Sequence, residues 1–345
     1  MSIQTVLGRI PAQDFGIILP HEHLALDYSH FHFEPPLKDL SELIAGPISL
    51  QNVGFVRQYP YASKFNLNFA DNESLKGVKR DLELFKKFGG SAIVENSSIG
   101  LRTNLDLKAL SKEAGVHIVA GAGHYLGQTQ PSSVLEMSTE ALYESILNDF
   151  QNLSCGVIAE VASDYPISNF EKNTIKATAE AQQQLKCGVG FHPGRHLEAP
   201  FEIVRLYLEA GGDAKKCSMS HLDRTLLRNE ETLFEFAKLG VYLQFDLFGT
   251  ECSYYQLNPT FDMPSDGDRI NMLMKLVAEG YEKRVLMSHD IHTKHRLTSF
   301  GGHGYHHIIT NVLPRMKAKG LSQEMIDTIS RENPKQWLLI ENVQE

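Results

Sequence analysis

The chain is poor in the features that would direct it to a membrane, a nucleic acid or a disulfide scaffold. No run of ~18 apolar residues occurs among its 345 positions, and the mean hydropathy is −0.23, so no membrane-spanning helix is expected. Lys plus Arg total 33 against 42 Asp plus Glu, a formal charge of −9. That balance works against nucleic acid or an anionic membrane, which need clustered cations. Cysteine is scarce. Cys155, Cys187, Cys217 and Cys252 form no Cys-x-x-Cys pair, so neither a disulfide framework nor a zinc ribbon is expected. The first ten residues, Met1 to Ile10, lack a basic n-region and a long apolar stretch. A secretory signal is therefore not expected, and the expected location is the cytosol. Neither Gly-x-Gly-x-x-Gly after a first strand nor Gly-x-x-x-x-Gly-Lys-Ser/Thr occurs, which leaves nucleotide binding without support. Repeats and low-complexity segments are also missing.

What the chain does have is alternation. Short apolar runs of strand length occur at 16–21, 92–95, 116–120, 156–160, 189–192, 217–221, 241–246 and 284–290. Nearly continuous apolar strands suit a parallel sheet covered on both faces. Between them, apolar residues recur every three or four positions, as in Leu82, Phe85 and Phe88, and several such segments stop at Gly: Gly89, Gly211, Gly240 and Gly280. Eight strands alternating with helices predict an α/β fold of the (β/α)8 TIM-barrel type, with an open doubly wound sheet as the alternative. One domain over 1–345 is expected. Residues 24–74, weakly periodic and carrying Pro35, Pro36, Pro47 and Pro60, read as a long insertion after the first strand that walls the site.

The chain also has 15 histidines. Five of the eight expected strands end in a possible metal ligand: His21-Glu-His23, Glu160, His192, His221 and Asp290. A lone histidine at a strand end is more often a hydrogen-bonded core residue, but here six ligand-type residues fall at the same end of five strands. In a barrel those ends converge on one rim, where such a set could hold two divalent ions sharing a carboxylate and a water. Asp246 reads as a hydrogen-bond anchor or helix cap, and Glu95 as a partner that orients a ligand imidazole. A Ser/His/Asp triad has little support: no Gly-x-Ser-x-Gly elbow occurs, and Ser220 and His221, being adjacent, are expected on opposite sheet faces. Cys155, Cys187 and Cys217 open strands and read as small core residues at the far end.

The strings His21-Glu-His23-Leu24, Gly156-Val-Ile-Ala-Glu160, Phe191-His192-Pro-Gly-Arg195, Ser220-His221-Leu-Asp-Arg-Thr225 and Ser288-His-Asp290 resemble the phosphotriesterase family of the amidohydrolase superfamily, over residues 4 to about 340. The resemblance implies a binuclear divalent-metal centre. In it His21, His23 and Asp290 hold the more buried ion, His192 and His221 the more exposed one, and Glu160 stands where bacterial members carry a carbamylated lysine bridge. Zinc is the expected ion, with manganese, cobalt or iron open. The longer strings, among them Phe245-Asp-Leu-Phe-Gly-Thr-Glu251 and Phe300-Gly-Gly-His-Gly-Tyr305, are closer to an animal branch of the family. That likeness implies an amidase that splits N-acetyltaurine into taurine and acetate, with N-acetyl amino acids as lesser substrates. In such chemistry hydroxide from a metal-bridging water attacks the acetyl carbonyl, and Asp290 carries the proton to the leaving amine. A sulfonate calls for cationic or donor groups, and Arg195, Arg224, Tyr125 and Lys294 on the rim are the candidates. The expected partner is a small N-acylated molecule, and a homodimer is compatible with such barrels. A lactonase or phosphoester hydrolase, and a metal-holding barrel without catalysis, stay open at this point.

Overall fold

Eight parallel strands are laid side by side in sequence order, each a short and almost wholly buried apolar run. They are β1 (Ile17–Glu22), β2 (Gly90–Glu95), β3 (His117–Ala122), β4 (Val157–Ala162), β5 (Gly188–His192), β6 (Cys217–Met219), β7 (Tyr242–Phe245) and β8 (Val285–Met287). The computed structural model describes residues 1–252 and 254–340; Ser253 and the last five residues of the expected domain lie outside the described residues. Registers such as Ile93 with Ile118, Ile158 with Val189 and Leu243 with Val285 keep the strand ends level along one rim. The eight expected strands are all present, and the barrel-like arrangement is the expected fold. β8 and β1 share no ladder among the described residues; their seam is closed beyond the strands, where Asp290 N–H donates to the His21 carbonyl at 3.1 Å.

The helices follow from their ends as much as from their apolar faces. In α1 (Asn72–Lys87) the Asp71 carboxylate accepts from Ser74 N–H, and in α2 (Asn169–Leu185) Ser168 and Glu171 form a reciprocal capping box. Gly240 and Gly280 take positive φ, 76° and 85°, just past their helices, the conformation that makes glycine a helix stop. The helix at Leu107–Ala114, between β2 and β3, is short, and only Leu110 and Ser111 in it are buried. The insertion carries short helices at Leu40–Ile44, Val53–Gln58 and Lys64–Leu67 and a two-residue antiparallel pair, Leu26–Asp27 with Asn68–Phe69. No described helix is long and apolar enough to cross a membrane.

At the opposite end from the ligand-bearing rim, Ser2–Thr5 pairs antiparallel with Gly8–Pro11 and with Leu339–Ile340. The single tryptophan, Trp337, is buried there, and its indole N–H reaches the carbonyls of Val189 (3.2 Å) and Lys216 (3.1 Å). A Cβ on Gly188 would lie 2.7 Å from the Trp337 carbonyl oxygen, so glycine is what lets strand and indole approach. Cys155, Cys187 and Cys217 are buried and unpaired at strand starts, as small core residues should be. Burial raises the Cys187 thiol to about 12, which removes thiolate chemistry.

Replacing Trp337 with Ala removes a buried ring and leaves two carbonyls short of a donor. A cost of about 3–5 kcal/mol is expected, read as a lowered urea midpoint by far-UV circular dichroism. In the native protein the lone indole should emit at short wavelength and shift red only on global unfolding. An unchanged midpoint in Trp337→Ala would show that the plug is dispensable.

Candidate metal centre

The ligand-type residues reach the rim by three local devices. His21 is carried by β1 with Glu160 inside β4, and His192 ends β5. His23 follows β1 by one residue. His221 and Asp290 lie beyond their strands: the ladders stop at Met219 and Met287, not at 221 and 290 as the apolar runs implied. Both residues take left-handed backbone conformations, φ 57° and 55°. That turn also overrides the alternation expected of Ser220 and His221. Both side chains reach the interior, Ser220 Oγ at 3.1 Å from His21 Nδ1 and His221 Nε2 at 3.0 Å from Glu160.

All six groups are buried, and they form two triads, His21–His23–Asp290 and Glu160–His192–His221. Glu160 Oε1 lies 2.6 Å from His192 Nδ1, 3.0 Å from His221 Nε2 and 3.5 Å from His21 Nε2. Asp290 Oδ1 lies 3.1 Å from His23 Nε2 and 3.6 Å from His21 Nε2. Ligand atoms at about 2.0–2.2 Å from a tetrahedral zinc sit roughly 3.3–3.6 Å from one another; the two His21 contacts, 3.5 and 3.6 Å, match that span, while the other three are at hydrogen-bond distance. His21 Nε2 is the decisive atom: it is buried, faces both triads and has no hydrogen-bond partner. Glu160, Asp246 and Asp290 around His21 overcome the effect of its burial and raise it to about 10. The site is short of positive charge at that point, and a divalent cation would supply it.

The remaining imidazole nitrogens are held from behind. Asp246 accepts from His221 Nδ1 (2.7 Å) and N–H (3.0 Å) through one oxygen and from His21 Nδ1 (3.0 Å) through the other. One carboxylate thus turns the Nε2 lone pairs of two ligands toward the centre. It is the expected anchor, and it caps no helix. Glu95 acts at one remove: Ser97 Oγ donates to it at 2.5 Å and so is free to accept from His23 Nδ1 at 2.9 Å. Ser97 had no signal in the sequence, being one serine in a polar stretch after β2. Burial pushes the Glu160 carboxyl up, but His192 and His21 outweigh it and hold the group well below the ordinary carboxylate range. Burial lowers His192 to about 3 against the pull of Glu160. Asp290 stays ionised by the same contest: burial raises it, while His292 and His23 hold it well below the usual range.

A cavity of about 440 Å³ opens above this cluster. Tyr28 and Tyr61, from residues 24–74, line it together with Tyr255 and Arg195. Among the described residues, five arginines and three carboxylates face the cavity: Arg57, Arg195, Arg224, Arg296 and Arg315 against Glu251, Asp266 and Asp290. Arg195 gives its Nε to Tyr255 Oη at 3.0 Å and stacks on that ring. Arg224 is tied down, donating to His192 Nε2 (3.1 Å) and the Pro193 carbonyl (3.0 Å). Tyr125 packs edge-on against His192, ring centroids 5.2 Å apart. Lys294 is not brought to the cavity. It is fully buried, paired with Asp71 and set over the Phe65 ring.

Because Asp246 orients two ligands at once, Asp246→Ala should weaken divalent-ion retention by about 10- to 100-fold in competition with a chelator, without loss of fold. Unchanged retention would show that the histidines orient themselves.

Residues 1–338 match the sequence profile described as the Phosphotriesterase family. The chain is 55% identical over 98% of both chains to the Phosphotriesterase-related protein of Drosophila pseudoobscura pseudoobscura, and 53% identical over the same share to that of Drosophila melanogaster. Among solved structures, a resiniferatoxin-binding protein from Rhodobacter sphaeroides superposes with a TM-score of 0.91 at 27% identity, covering 98% of this chain and 94% of that one. The phosphotriesterase homology protein from Escherichia coli, complexed with phosphate in its active site, does so with 0.74 at 25% identity, over 94% and 99%. A lactonase from Listeria monocytogenes shares the fold, with a TM-score of 0.78 at 21% identity over 99% and 100%. With the barrel, the clustered ligands and these likenesses in agreement, the chain belongs to the phosphotriesterase family.

Proposed function

We propose that the chain is a metal-dependent amidohydrolase that converts N-acetyltaurine into taurine and acetate. The observation that carries the reading is the joining of two metal-type triads to a cavity with more guanidinium than carboxylate groups. His21, His23 and Asp290 would hold one divalent ion, His192 and His221 the other, with Glu160 reaching the ligands of both. Zinc is the proposed ion. Bound there, such ions supply Lewis acidity and make water a nucleophile near neutral pH.

The chain's own groups do the rest. An amine is a poor leaving group and must be protonated as the C–N bond breaks. Asp290, ionised and on the cavity wall, accepts a proton from the attacking water and delivers it to the amide nitrogen. His292 steadies it, with Nδ1 at 2.7 Å from the Asp290 carbonyl and 3.3 Å from Oδ2, and is itself held by the Tyr61 hydroxyl at 3.3 Å. Arg195 is the better sulfonate partner. Among the described residues only its Nε is engaged, whereas an Arg224 terminal nitrogen is already used by His192 and Pro193. The tyrosine-lined wall and the buried Tyr125 keep bulk water from the carbonyl.

The competing reading, ester-type hydrolysis by the same centre, draws support from the phosphate bound in the Escherichia coli relative's active site. Metal-replete protein assayed on N-acetyltaurine, N-acetyl amino acids, lactones and phosphotriesters separates the two. N-acetyltaurine should give the highest kcat/KM; a lactone or phosphotriester turned over faster would replace the amidase reading. Metal-bound protein inert on all of them would leave a binding role. Within the amidase reading, Arg195→Met should cost roughly ten- to a hundredfold in kcat/KM on N-acetyltaurine, the worth of a charge-assisted hydrogen bond of ~1.5–3 kcal/mol, and far less on an uncharged N-acetyl amine. Equal losses on both would move the sulfonate contact elsewhere.

A further inference from the structure

We propose that Glu22 and Arg296 are a matched pair of positioning residues that fix Asp290 in its working conformation by gripping the Asp290–Ile291 peptide unit from opposite ends and its neighbours one end each. The inference rests on the role given to Asp290 above. Asp290 stands outside β8 in a left-handed turn, so no ladder holds its backbone. Four donors of the turn converge on Glu22, His289 N–H at 2.9 Å, Ile291 N–H at 3.0 Å, Ser288 Oγ at 2.7 Å and His289 Nδ1 at 2.7 Å, while Asp290 N–H goes to the His21 carbonyl at 3.1 Å. The acceptors of the same turn converge on Arg296, which donates to the Asp290 carbonyl at 2.5 Å and to the His289 carbonyl. A third bond, to the Phe248 carbonyl at 3.1 Å, ties the turn to the segment after β7.

The arrangement is specific in its physics. The Asp290–Ile291 peptide dipole is met by an anion at its N–H end and a cation at its C=O end. Both charged groups are buried, at 0% and 3% exposure, where a charge is tolerated only if fixed dipoles or partners surround it. Among the described residues Arg296 has no carboxylate partner, and carbonyls take its place. The Arg296 backbone is itself confined: a Cβ on Gly302 would fall 2.1 Å from its carbonyl carbon, and Gly304 N–H donates to its oxygen at 2.9 Å. Glu22 sits between His21 and His23, so the pair sets the distance from the β1 ligands to Asp290. The turn it holds carries one acidic side chain into the cavity, that of Asp290.

The test is a set of variants purified with metal: Glu22→Gln and Arg296→Lys, each in the native and the Asp290→Asn background. Asp290→Asn alone should lower kcat by ~10²–10⁴. In the native background each positioning variant should lower kcat about tenfold or more, with KM within about twofold, and weaken one of two Mn²⁺ binding steps by about tenfold. In the Asp290→Asn background the same substitutions should change kcat by less than about twofold, because the group they position is gone. Equal losses in both backgrounds would show that the pair only supports the fold and would overturn the proposal. Full kcat in Asp290→Asn would instead overturn the role of Asp290 itself. Should either variant fail to fold, Arg296→Ala with added guanidinium decides: recovered Mn²⁺ affinity supports the proposal, and folded protein without recovery refutes it.

Discussion

A single buried carboxylate, Glu160, sets the terms for the rest of the rim. A charge in that position is tolerated only if partners arrive from several directions, and they do: His192 from β5, His221 from beyond β6 and His21 from β1. Those imidazoles need partners of their own, which is why Asp246 lies beneath two of them and Gln244 beneath Asp246 at 2.7 Å. The network spans strands that are not neighbours in the sheet. It trades apolar stability for a fixed geometry, and removing one member would strand the others in a dry interior.

Much of the fold was legible because its elements obey simple periodicities. The strands are continuous apolar runs, and the helices repeat at three and four residues and stop at glycine. The departures have local causes. β6 and β8 are shorter than their runs because His221 and Asp290 adopt left-handed turns, which no non-glycine pattern announces. The pairing of Ser2–Thr5 with Gly8–Pro11 and Leu339–Ile340 escaped notice because strands of two to four residues carry too few positions for a period to show.

The candidate site was legible to a different depth. Metal-type side chains at strand ends are visible because residue type and position coincide. Groups that orient them are visible only where they end an apolar run of the sequence, as Glu95 and Asp246 do; Ser97 and Glu22 fall just past such a run and are not. The rim was the least readable. Tyr28 and Tyr61 come from a segment without periodicity, and Lys294 is drawn away from the cavity by Asp71, a partner 223 positions distant. The cavity is also locally richer in guanidinium groups than the strongly acidic composition suggests. Net charge describes how the whole molecule repels its neighbours, whereas a few arginines set the field at the mouth.

The seam between β1 and β8 has a consequence for how the molecule is made. Glu22 and His289 are 267 positions apart, yet each lacks its partner until the other is present. While the chain leaves the ribosome from its N-terminus, β1 and its two histidines must wait for nearly all the later strands. A barrel whose closing contacts are this distant pays its loop-closure entropy late. During that interval the nascent sheet has an open edge and half of a metal site. The rim contacts of β1 with the segment after β8 are therefore made last, and the early segments depend on being shielded until translation brings the final strand.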